Sequence, residues 1–164
     1  MTRLCSDVLL ALKGRTLATA ESCTGGGIGS ALTAVPGSSS VYKGGVISYC
    51  NEIKHRLLGV DADLLDRCGA VSAPVAEAMA LGVRLSFDTD IAVSVTGLAG
   101  PGGDDFGNPV GTVYIGYSDK IRTLSEHYRF DGNRDSVRTA AAEAALRLIL
   151  KYNTMLKQEE LPWK

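Results

Sequence analysis

The sequence predicts an α/β protein, a three-layer α/β/α sandwich around a mixed, mostly parallel sheet. Three observations lead to it. From the N-terminus to Gly97, short apolar runs alternate with segments whose apolar residues recur every three or four positions, the pattern of right-handed βαβ units. Further on, the alternating runs VGTVYIGYS and IRTLSEHYRF are separated only by Asp119-Lys120, which joins them as an antiparallel hairpin and makes the sheet mixed. Finally, 164 residues with 45% hydrophobic content suit one domain over residues 1–164, with no linker, repeat or low-complexity segment dividing them.

Each element has its own signal. Leu4, Val8, Leu9 and Leu12 lie at helical spacing and Gly14 stops the segment, so residues 4–13 form a leading helix. TLATA, residues 16–20, is a breaker-free run that reads as a buried strand, although poor in β-branched side chains. Ile28, Ala31, Leu32 and Val35 share one helical face, with Thr24 as the expected N-cap and Pro36-Gly37 as the stop. VYKGGVISY, residues 41–49, is a second strand, bulged at Gly44-Gly45. Asn51 is expected to cap a short helix that turns Ile53, Leu57 and Leu58 inward and ends at Gly59.

Val75, Met79 and Val83 mark a helix over residues 73–85, with Pro74 in its first turn. DIAVSVTG, residues 90–97, is a strand that runs into the irregular loop LAGPGGDDFGNP. The last helix, from Arg134 to about Met155, carries Val137, Ala141, Ala144 and Leu148 on one stripe, and the tail KQEELPWK is expected to fray.

Composition excludes several classes of function. A formal net charge of −1, with Lys and Arg scattered along the chain, lacks the basic stripe that a nucleic-acid binder needs. The four cysteines form no C-x-x-C pair and sit far from His55 and His127, so neither zinc nor a disulfide framework is expected; they read as reduced thiols in the cytoplasm. No apolar stretch is long enough for a membrane span, and Asp104-Asp105 read as turn residues, so no membrane and no metal are expected. The apolar LPW of the tail makes a homodimer plausible.

The stretch ESCTGGG, between the first strand and the second helix, carries the chemistry. Walker A fails because no lysine lies between Lys13 and Lys43, and the dinucleotide fingerprint fails because Leu32 stands where its third glycine belongs. The G-x-S-x-G elbow would need glycine where the chain has Ala20 and Thr24. Neither histidine stands in a setting that suits a general base, and Ser40-x-x-Lys43 lies in a strand-like run that points the pair to opposite faces.

Ser22 with a lysine base remains. Lys54 lies one turn into a short helix that follows Tyr49, and in open α/β sheets the carboxyl ends of neighbouring strands border one crevice. A free lysine has a pKa near ~10.4 and a useful base needs roughly 7–8, so the site must withhold about 4 kcal/mol of solvation from the ammonium. Taken alone, Lys54 reads as a solvated surface lysine, Tyr49 as a packed strand aromatic, and Glu21 as either an orienting group or a strand end.

TAESCTGG, GGVISYCNEIKHRLLGV, GAVSAPVAEAMA, SVTGLAGPGG and NPVGTVYIGY, in this order, resemble the CinA C-terminal family, the nicotinamide-nucleotide amidohydrolases, from Thr19 to about Arg138. The resemblance implies hydrolysis of the carboxamide of nicotinamide mononucleotide to nicotinate mononucleotide and ammonia, for pyridine-nucleotide salvage, with no cofactor. It places the nucleophile on Ser22, the catalytic lysine on Lys54 and the assisting tyrosine on Tyr49. Expected substrate contacts are Thr24, Gly25 and Gly26 beside the nucleophile, Thr96, Gly97 and Gly100 around the glycine loop, and Arg134. Longer members carry a further N-terminal domain, whose activity is not implied.

This inheritance gives the glycines a chemical reason, because amides of Gly25 to Gly27 at a helix start suit a tetrahedral oxyanion. Arg134 and Arg138, four apart on one face, favour the substrate's phosphate, the alternative being ordinary pairing with Asp131 or Asp135. Two rival readings stay open. Cys23 at a helix N-terminus offers a second nucleophile, and a non-catalytic module that binds pyridine nucleotides would use the same crevice.

Overall fold

A computed structural model describes residues 1–159; the LPW segment behind the expected homodimer lies outside the described residues. Among the described residues, five strands form one sheet in the order β2-β1-β3-β4-β5. β1 (Leu17–Glu21) runs parallel to both β2 (Tyr42–Ile47) and β3 (Ile91–Gly97), and β4 (Thr112–Ser118) is antiparallel to β3 and to β5 (Thr123–Arg129). Only β4 therefore points against the others, and the mixed, largely parallel sandwich expected from the sequence is the architecture observed.

Alternation along the strands divides the core into two layers. On one face Leu17, Ile91, Val93, Val95, Val113 and Ile115 pack with α1 (Thr2–Ala11), α2 (Gly27–Thr33) and α6 (Arg134–Glu159). On the other, Ala18, Ala20 and Ala92 pack with α3 (Asn51–Leu58), α4 (Ala62–Cys68) and α5 (Ala73–Ser86). This helical layer comes close to the sheet at the neighbouring strands β3 and β4. A Cβ on Gly116 would meet the Ala76 carbonyl oxygen of α5 at 2.2 Å, and Ser94 Oγ donates to that same oxygen at 2.5 Å.

Local details depart from the sequence reading. α4 was not anticipated, although Asp61 caps it by accepting the Asp63 amide at 2.8 Å and Gly69 closes it. The N-cap of α3 is Cys50, and Asn51 is its first helical residue. Lys54 and Leu58, one turn apart, are the buried residues of that helix, which rotates Leu57 outward to 50% exposure rather than inward. The bulge lies just before the expected Gly44-Gly45: the β1–β2 register skips Lys43, and Gly44, with φ at 136°, follows it paired with Ala18. No helix among the described residues is long and apolar enough to cross a membrane.

The topology sets three connections side by side. The turn after β1, the loop after β2 and the loop after β3 all leave from the carboxyl edge of neighbouring parallel strands, where open α/β sheets open a crevice.

Candidate active site

The turn after β1 is tied from both sides. Gly25 and Gly26 take φ of +60° and +94°, a left-handed bend that glycine makes without a steric penalty. That bend brings the start of α2 back over Glu21, whose Oε2 accepts the Gly26 and Ile28 amides at 3.0 and 3.1 Å while Oε1 accepts the Gly29 amide at 2.9 Å. The Gly25 amide donates to the Ser22 carbonyl and the Gly27 amide to the Thr24 carbonyl, each at 3.1 Å. The glycine amides are thus engaged inside the protein, which corrects the expectation that they face an oxyanion. Glycine is required here to let a helix begin on a buried carboxylate.

Thr24 is likewise not the N-cap of α2, a position held by Gly26; its buried hydroxyl has no hydrogen-bond partner among the described residues. Arg138 ties the other side of the turn, donating from Nε to the Cys23 carbonyl at 3.1 Å and from Nη2 to the Thr24 carbonyl at 3.2 Å. Its contact with Asp135 is longer, at 3.9 Å. Arg138 therefore supports the turn after β1 instead of waiting for an anion.

The loop after β2 brings the second group. The Ser48 amide donates to the Glu21 carbonyl at 2.8 Å, and the Ser48 carbonyl accepts from Lys54 Nζ at 2.8 Å. Lys54 Nζ also lies 3.2 Å from Ser22 Oγ, and the lysine side chain is only 1% exposed. Burial lowers the Lys54 pKa by disfavouring the charged ammonium, with the nearby Cys50 and Cys23 pulling weakly the other way.

Cys23, adjacent to Ser22, is affected in the opposite sense. It is 5% exposed, and burial pushes its thiol up to about 11. Its own backbone amide, then Lys54 and Arg138, act to lower it without overcoming that loss of solvation. Burial of this kind disfavours the activated thiolate that the cysteine alternative requires.

A cavity of about 280 Å³ opens above Ser22 and Lys54. Of the sequence-predicted residues, Ser22, Tyr49, Lys54, Thr96, Gly97, Gly100 and Arg134 line it, whereas Thr24, Gly25 and Gly26 do not. Thr96 Oγ1 is already bound to the Ala70 carbonyl at 2.7 Å. Gly97 is a packing glycine, since a Cβ there would come within 2.7 Å of Val113 Cγ2. At the rim Arg134 donates from Nη1 to the Gly100 carbonyl and from Nη2 to the Tyr49 hydroxyl, both at 2.7 Å. Tyr49 is 60% exposed, and the hydrogen bonds of Lys54 Nζ go to Ser22 and Ser48.

Cys23 lines it too, and Asn51, Ala70, Val71, Leu98, Ala99 and Gly102, which were not anticipated as site residues, complete the lining. Ala70 and Val71 follow α4, so missing that helix hid them. The remaining polar candidates serve the fold: His55 Nδ1 lies 2.7 Å from the Val60 carbonyl, His127 packs on Tyr114 at 4.8 Å between ring centroids, and Asp104 accepts the Phe106 and Asn108 amides.

A buried lysine amine within hydrogen-bond distance of a serine hydroxyl, beneath a cavity at the carboxyl edge of parallel strands, can exchange a proton with it. The model of the CinA C-terminal domain matches residues 2–153, and the chain belongs to that family. It is 54% identical over 142 residues to a CinA-like protein of Cyanothece sp., covering 84% of this chain and 34% of that protein. Identity to a CinA-like protein of Geobacter sulfurreducens is 52%, covering 82% of this chain and 32% of that one. The chain thus spans about a third of the length of the curated relatives it matches.

Among solved structures, a competence/damage inducible protein from Agrobacterium tumefaciens superposes with a TM-score of 0.89 at 36% identity, covering 93% of this chain and 94% of that one. A CinA superfamily protein from Klebsiella pneumoniae gives 0.91 at 32% identity, covering 94% and 98%.

Proposed function

We propose that the chain hydrolyses the carboxamide of nicotinamide mononucleotide to nicotinate mononucleotide and ammonia through Ser22 and Lys54. One observation carries this reading: the Lys54 amine, shut away from water, lies 3.2 Å from Ser22 Oγ on the cavity floor. A neutral amine has two N–H bonds and a lone pair. One N–H serves the Ser48 carbonyl, and the lone pair takes the Ser22 proton.

Ser22 Oγ then bonds to the carboxamide carbon, and the carbonyl π electrons move onto oxygen. The Cys23 amide, which donates to no other described residue, belongs to a residue lining the cavity and is the backbone donor this reading assigns to that oxyanion. The proton held by Lys54 passes to the nitrogen, the C–N bond breaks, and ammonia leaves. Water cleaves the acyl-serine by the same route, releasing the carboxylate and returning the proton to Ser22. At the rim, Arg134 meets the phosphate by exchanging one of its present partners, Gly100 or Tyr49, for a phosphate oxygen.

Coupled ammonia assays on nicotinamide mononucleotide, nicotinamide riboside and free nicotinamide test the reading. The mononucleotide is expected to be the preferred substrate, and Ser22→Ala to bind it in calorimetry without releasing ammonia. Binding by the unaltered protein with no ammonia from any of the three would leave a binding module and overturn the amidase.

A further inference from the structure

We infer that Glu21 is a positioning residue that holds nucleophile and base in register, an inference that rests on the Ser22–Lys54 reading. Glu21 is 2% exposed and reaches both arms of the site. Its carboxylate takes the three amides at the start of α2, and its main-chain carbonyl takes the Ser48 amide. Ser48 in turn holds Lys54 Nζ through its own carbonyl, and Ser22 is the next residue in the chain. A single residue is therefore bonded to the nucleophile and one hydrogen bond from the residue that holds the base.

The chemistry of the side chain is specified as well. Both carboxylate oxygens accept and every partner is an N–H, so only a group without donors satisfies the set. α2 has seven residues and a glycine N-cap with no side chain to offer, so its first turn depends on this carboxylate from five residues before that cap. The hydrogen bonds of Glu21 run to these amides and not to Lys54, so the carboxylate orders the turn without pairing with the ammonium. In Glu21→Gln an NH₂ faces at least one amide, the start of α2 shifts, and Ser22 Oγ moves relative to Lys54 Nζ. The rim residues Arg134, Gly100 and Asn51 are left in place.

The test compares Glu21→Gln and Glu21→Asp with the unaltered chain, using circular dichroism for folding, steady-state kinetics on nicotinamide mononucleotide, and sulfonylation of Ser22 by phenylmethylsulfonyl fluoride. In that labelling the serine O–S bond forms, fluoride leaves with the S–F electrons, and Lys54 takes the proton. Glu21→Gln is expected to fold, to keep KM within about threefold, and to lose roughly 10- to 100-fold in both kcat and labelling rate. Glu21→Asp, shorter by a methylene but free of donors, is expected to keep more of both rates.

Wild-type rates in Glu21→Gln, or an Asp variant no better than the Gln variant, would overturn the inference. Should Glu21→Gln fail to fold, Glu21→Asp decides alone: reduced kcat and labelling at constant KM supports it, and unaltered rates overturn it. A wild-type chain labelled at Ser22 yet inert toward the mononucleotide would defeat the substrate reading only, leaving the labelling rates to judge Glu21. A wild-type chain neither labelled nor active would overturn both.

Discussion

The floor and the rim of the cavity are built on opposite principles. Ser22 and Lys54 at the floor, and Glu21 behind them outside the lining, are each no more than 8% exposed, and their partners are backbone groups or one another. At the rim, Arg134 and Tyr49 are exposed side chains whose mutual hydrogen bond is open to exchange with solvent or ligand. Buried, fully partnered groups hold a geometry, whereas exposed ones rearrange at little cost. Under the proposed function, chemistry belongs to the floor and recognition to the rim, and the two separate into kcat and KM effects.

The largest expected effect is at the floor. Ser22→Ala should lower kcat by at least about 10⁴-fold with nucleotide binding retained, because it removes the atom that forms the acyl bond. Full turnover by that variant in an ammonia assay would exclude Ser22 as the nucleophile.

Lys54→Met comes next, with an expected fall in kcat of about 10²- to 10⁴-fold, the range of a lost general base. The pH dependence has a definite sign. Lys54 is active when neutral, so kcat should rise with pH, through a limb lying below the ordinary lysine value of about 10.4 because burial lowers the Lys54 pKa. Stability follows the same group. Between its lowered folded-state pKa and about 10.4, the unfolded chain holds the extra proton, so stability rises with pH across that window. Lys54→Met should abolish that slope in denaturant titrations, and an unchanged slope would show that Lys54 is not its source.

Rim substitutions should be milder and fall mainly on KM. Arg134→Ala is expected to raise KM for the mononucleotide about 10- to 100-fold, the loss of charge-assisted bonds to phosphate, with kcat changed far less. Tyr49→Phe removes one neutral acceptor of Arg134 and should raise KM about two- to tenfold. A tyrosine that relays the proton would show the reverse split, losing kcat at constant KM, so this pair of measurements sharpens the comparison or breaks it.

Much of the fold was legible because its signals are local. Helical spacing, the bulge beside Gly44 and the short hairpin connection at Asp119 each depend on residues within a few positions of one another. Ser22, Lys54 and Arg134 were legible as residues through the family resemblance, but their partners were not. That Glu21 would collect amides up to Gly29, and that Arg138 would reach back to Cys23, depends on how far the chain bends at Gly25 and Gly26. The motif showed that backbone comes close there without showing what it comes close to. α4 escaped notice because one short turn-rich helix carries too few apolar positions to display a period.

The central claim is that the Lys54 amine is starved of water beside Ser22, and titrating its side chain by NMR, through the 13Cε resonance, tests that most directly. A midpoint clearly below the ordinary lysine value of about 10.4 is the predicted result. A midpoint at that ordinary value would contradict it, since an amine that keeps its proton as a free lysine does cannot take one from Ser22.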